Sequence, residues 1–114
     1  MSGFWGTLWW LVCVHALCDY VLQPEYMAKL KRPGGGTAEE RQRYGPWWWW
    51  MGAHSLINGL GVTYITQEPI LGMAEALVHG SLDTLKCRGM ISSNQDQLGH
   101  LLSKVLWATL MIRT

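Results

Sequence analysis

The chain carries four His and three Asp, and every Asp stands four residues from a His: His15/Asp19, His79/Asp83 and Asp96/His100. Chance alone would give this agreement on the order of once in a few thousand sequences. Residues i and i+4 share one helix face, which is how two ligands on one helix reach one ion. Imidazole and carboxylate together suit Zn²⁺, the first choice here, or Mn²⁺ or Fe²⁺. The three cysteines, Cys13, Cys18 and Cys87, form no C-x-x-C pair, so neither a disulfide framework nor a zinc ribbon is expected. A donor set poor in thiolate points to an open, catalytic site over a closed structural one.

With His54 added, the expected ligand set is His15, Asp19, His54, His79, Asp83, Asp96 and His100. These would suffice for two ions, or for one ion with a carboxylate base and outer Asp–His partners. The competing reading is hydrogen-bonded glue between helices, because buried polar groups need partners. Ser55 beside His54 lacks the spacing of a catalytic triad, and no P-loop, G-x-G-x-x-G or H-E-x-x-H occurs. Gln23, four residues after Asp19, either orients a ligand or caps a helix end. Lys86, three residues after Asp83, either holds a phosphate or anchors the chain at an interface.

Four apolar blocks must position these residues: 4–22, 46–65, 69–87 and 97–112. A helix of about 20 residues is roughly 30 Å long, the thickness of a bilayer's hydrocarbon core. Of the 114 residues, 49% are apolar and 15% charged. Eight of the 17 charged side chains lie in residues 24–44, whereas residues 45–67 carry none. The composition thus predicts a single all-α membrane domain, an integral four-helix up-down bundle. The start lacks the positive region and cleavage site of a signal peptide, so the first block is expected to be a retained span. Thr37-Ala-Glu-Glu40 predicts a capping box opening a short surface helix that ends before Gly45-Pro46.

Charge orients the spans. The connectors at 24–44 and 88–95, with Lys86 at the edge of the second, hold seven Lys and Arg, and the opposite side holds only Arg113. The positive-inside rule then places both connectors in the cytoplasm and both termini outside, in a multi-pass protein of a cell inner membrane. Trp47 to Trp50 would lie at the inner interface, and Trp5, Trp9 and Trp10 toward the outer one. In that topology all seven His and Asp fall in the inner half or its rim. Positions 75/104, 79/100 and 83/96 are symmetric about one centre, so Glu75–His79–Asp83 should face Lys104–His100–Asp96 layer by layer. Net charge of +1 gives no reason to expect a nucleic-acid partner.

The string His15-Ala-Leu-Cys-Asp19-Tyr-Val-Leu-Gln23, followed by Met27-Ala28 and Lys31, resembles the domain-of-unknown-function family numbered 3307. His54, His79-x-x-x-Asp83-x-x-Lys86 and Asp96-Gln97-x-x-His100 extend the resemblance over residues 15–100, with Tyr20 where Phe is more usual. The resemblance implies a small bacterial or phage multi-span membrane protein in which the His/Asp set matters, and it supplies no reaction. A looser likeness, in the His/Asp-bearing spans alone, is to proteins labelled membrane-bound metal-dependent hydrolases.

The expected function is therefore a metal-dependent hydrolase at the cytoplasmic face. Ligands would be drawn from His15, His79, His100 and one or more of Asp19, Asp83 and Asp96. A remaining carboxylate, Asp83 or Asp96, would be the general base, and Lys86 would steady an anionic substrate. A phosphoester of lipid or lipid-linked type suits a site beside basic residues at a membrane interface. The alternatives are a non-catalytic protein carrying protons or divalent ions, and a phage-type envelope protein for lysis or exclusion. A homo-oligomer in which two copies complete the cluster is also compatible.

Overall fold

The chain, described here over residues 3–112 by a computed structural model, is all-α, with no strand among the described residues. Helix α1 (Gly3–Ala16) runs into a π-helical turn (Leu17–Val21). Two short helices follow, α2 (Glu25–Leu30) and α3 (Ala38–Tyr44). Three long ones complete the chain: α4 (Trp47–Thr66), α5 (Pro69–Cys87) and α6 (Ser93–Ile112). Arg113, the lone basic residue expected on the far side, lies outside the described residues.

Local chemistry sets these boundaries. Thr37 Oγ1 accepts from Glu40 N while Glu40 Oε1 accepts from Thr37 N, the expected capping box of α3. Gly45, at φ 97°, ends α3 in a conformation that only glycine adopts without strain. Pro69 opens α5 at a position where its missing N–H costs nothing. Two boundaries differ from expectation. The 24–44 connector contains a second helix, α2, and α6 begins at Ser93, inside the expected connector 88–95. The reason for the latter is a second capping box: Ser92 Oγ accepts from Gln95 N, and Gln95 Oε1 accepts from Ser92 N.

The four long helices close a ring in which α1 packs on α4 and α6, and α5 packs on α4 and α6. The chain alternates in direction, so the end of α1, the start of α4, the end of α5 and the start of α6 meet at one end of an elongated body of 49 × 24 × 21 Å. The opposite end holds the apolar core: Leu11, Val62, Leu71, Trp107 and Ala108, with Phe4, Leu8 and Ile65 against it.

Burial is inverted relative to a water-soluble bundle. Among the described residues 14 polar or charged side chains are buried against nine apolar ones, while 25 large apolar side chains are exposed. The exposed set includes Trp5, Trp9, Trp48 and Trp49, the first at 78%. Among the described residues one helical stretch, Gly3–Val21, is long and apolar enough, by length and composition, to cross a membrane.

Candidate metal centre

Helix periodicity gathers the titratable groups. On α5 the buried positions Leu71, Glu75, His79 and Asp83 recur every four residues, and on α6 Asp96, His100, Ser103, Lys104 and Trp107 form the matching stripe. The two stripes meet in the expected register. Lys104 Nζ donates to Glu75 Oε1 at 2.8 Å, and His79 stacks on His100 with ring centroids 4.2 Å apart. Asp83 and Asp96 are joined through Lys86, whose Nζ lies 3.3 Å from Asp83 Oδ1 and 3.5 Å from Asp96 Oδ2.

The π-helical turn brings in Asp19. Leu22 N donates to Leu17 O, five residues back, and the widened turn buries Cys18 and Asp19 while Tyr20 and Val21 stay exposed. Asp19 Oδ1 then lies 3.0 Å from His54 Nε2 and 3.4 Å from His79 Nε2, and the two imidazole nitrogens are 3.1 Å apart. A tetrahedral Zn²⁺ with bonds near 2.0 Å separates its donors by about 3.3 Å. The three edges match that spacing, and His54 and His79 are fully buried. Three donors of suitable type therefore converge from α1's extension, α4 and α5.

Around this triangle the remaining residues form a supporting layer. Gln97 Nε2 donates to Asp19 Oδ2 at 3.1 Å, which leaves Oδ1 facing the histidines. Gln97 Oε1 in turn lies 3.1 Å from His15 Nε2. His100 Nε2 is 3.1 Å from Asp96 Oδ1. Asp83 Oδ2 lies 3.4 Å from His54 Nε2 and also receives the ammonium of Lys31, buried at 3% exposure. A second set of possible donors, Glu75, His79 and His100, adjoins the first and shares His79 with it.

All seven expected residues are thus buried at one end of the bundle. Asp19, His54 and His79 form the triangle, Asp83 touches it through His54, and His15, Asp96 and His100 stand one layer out. Gln23 Nε2 donates to Asp19 O, so it caps the helix end. Ser55 Oγ donates to Met51 O within its own helix. Sequence reasoning left Lys31 and Gln97 out of the site. Both sit in the quoted motifs, which was the only available signal.

No protein-family model, curated protein or solved structure matches the chain.

Proposed function

We propose that the protein is a membrane-embedded, metal-dependent hydrolase acting on an anionic phosphoester at the cytoplasmic face. One observation carries the reading: the buried triangle of Asp19 Oδ1, His54 Nε2 and His79 Nε2, with edges of 3.0, 3.1 and 3.4 Å. Asp19, His54 and His79 would hold the ion, with Gln97 turning the carboxylate. A divalent ion held there would supply Lewis acidity for attack of water on the ester. Asp83, 3.4 Å from His54 Nε2, or Asp96 would be the general base, and Lys86, held between those two carboxylates at the rim, would steady an anionic group of the substrate.

The inverted burial supports the membrane setting, since exposed Trp, Leu and Ile suit lipid and buried charges are paired. A groove of about 760 Å³ between α4 and α5, lined by Trp48, Met51, Leu56, Leu77 and Leu85, supports a substrate with an acyl chain. Ser55, next to His54, lines the same groove. Ion translocation draws less support. Past Glu75 and Lys104 the bundle is filled by Leu11, Val62, Leu71, Trp107 and Ala108.

The test is elemental mass spectrometry of detergent-purified protein beside Asp19→Asn and His79→Ala. One equivalent of Zn, Mn or Fe, lost in both variants, is the expected result and leads to a screen of phosphoesters. Folded protein that carries no metal and takes up neither Zn²⁺ nor Mn²⁺ would overturn the reading.

A further inference from the structure

We infer that the cluster takes a single ion and that Glu75 is the carboxylate that positions His79 for it. This rests on the metal reading above.

The first argument is protonation bookkeeping. A neutral imidazole that gives Nε2 to an ion carries its proton on Nδ1. For His79 that nitrogen is fully buried, has no hydrogen-bond partner, and lies 3.4 Å from Glu75 Oε2, itself buried and without one. The contact is long for a hydrogen bond, and it becomes one when the ring is locked in the metal-binding tautomer. Glu75 is held for this purpose from its other oxygen. Lys104 Nζ and Trp107 Nε1 each donate to Oε1 at 2.8 Å, while the Ser103 hydroxyl donates to His100 O at 2.6 Å. Two donors on one oxygen leave the other aimed at His79, the arrangement by which outer carboxylates fix metal-binding histidines.

The second argument is charge, and it decides between this role and a second ion bound by Glu75, His79 and His100. The cluster holds four carboxylates (Asp19, Glu75, Asp83 and Asp96) and three ammonium groups (Lys31, Lys86 and Lys104). Their formal sum is one negative charge. One divalent ion turns it to one positive, which a single anionic oxygen of water or substrate balances. A second ion would leave three positive charges in a low-dielectric interior, beside the ammonium of Lys104. The same balance favours a singly charged phosphodiester over a doubly charged monoester as substrate.

The experiment is a Co²⁺ titration of the detergent-purified chain, read from the visible absorption of four-coordinate cobalt. Three variants accompany it: Glu75→Leu/Lys104→Met, Glu75→Gln/Lys104→Met and Glu75→Asp. The paired changes remove both buried charges together, and Glu75→Asp keeps the ion pair while withdrawing the acceptor from His79. One equivalent in the wild type is expected, bound about 10–100-fold more weakly in the Leu/Met protein. The Gln/Met protein, which retains a neutral acceptor, should recover most of the loss, and Glu75→Asp should fall between. Unchanged affinity in Glu75→Asp and in a folded Leu/Met protein would overturn the positioning role. Two equivalents in the wild type with one retained in the Leu/Met protein would make Glu75 a ligand of a second ion. No uptake by the wild type would overturn the metal reading itself.

Discussion

Lys31, carried on the segment just after α2, donates to Asp83 of α5 across 52 residues of sequence, and the two side chains are 3% and 1% exposed. The connector therefore closes over the polar end of the bundle and leaves an ammonium inside it. Removing one partner of a buried pair strands the other charge, at a cost of about 3–5 kcal/mol. Lys31→Met should lower the thermal midpoint in detergent accordingly, and Lys31→Met/Asp83→Asn should recover most of the loss. A single variant as stable as the wild type would show that Lys86, already 3.3 Å from Asp83 Oδ1, suffices as its partner.

Gln97 joins His15 to Asp19 with two contacts of 3.1 Å. Its amide donor fixes which carboxylate oxygen faces His54 and His79. Gln97→Ala should weaken Zn²⁺ binding about 10-fold, the lower end for loss of an outer partner. Helix content should not change. Competition against a zinc chelator measures this, and an unchanged constant would mean that the π-helical turn alone orients Asp19.

Much of this site is legible in residue spacing alone. Four-residue His–Asp intervals put both members on one helix face, and the symmetry of 75/104, 79/100 and 83/96 supplied the α5–α6 register. What spacing did not provide was rank. His15, His54, His79 and His100 are equivalent as residue types, and only packing decides that His54 and His79 point at Asp19 while His15 points at Gln97. Lys31 counts in the sequence only as one of the basic residues of the 24–44 connector, because a six-residue helix there has too few apolar positions to reveal its buried side. The π-helical turn has no sequence signature, since it arises from how Leu17–Val21 meets its neighbours.

Outside the bundle, Glu40 offers a pH-dependent contact. The Lys29 ammonium, which donates to Glu40 Oε2 at 2.8 Å, and the Thr37 backbone N–H lower its carboxyl from 4.5 to about 2. A depressed folded-state value means that the contribution is complete above the unfolded value and is lost as pH falls through about 2. The α3 cap should therefore persist at pH 3.5, where an unpaired glutamate is mostly protonated. Carboxyl NMR of Glu40 should titrate near 2 and move toward 4.5 in Lys29→Ala. A midpoint unmoved by that change would assign the shift to Thr37 instead.

The α4–α5 hairpin that sets His54 against His79 depends on two glycines. A Cβ on Gly59 would fall 2.6 Å from Gly72 O, and one on Gly72 would fall 2.7 Å from Gly59 O. Backbone cannot yield at those distances without separating the helices. Gly72→Ala should destabilise the protein by about 1–3 kcal/mol, the range for overpacking. It should also weaken metal binding, because the His54 and His79 nitrogens, 3.1 Å apart, are carried by the helices that part. Gly52, on the same helix as Gly59 with nothing within 4 Å of an added Cβ, is the internal control. Gly52→Ala should raise stability by about 0.5–1 kcal/mol through helix propensity alone. Thermal unfolding and Co²⁺ affinity measured on both proteins separate the cases. Equal metal affinity in Gly72→Ala and Gly52→Ala would mean that the triangle is held by α1 and α6 rather than by the hairpin.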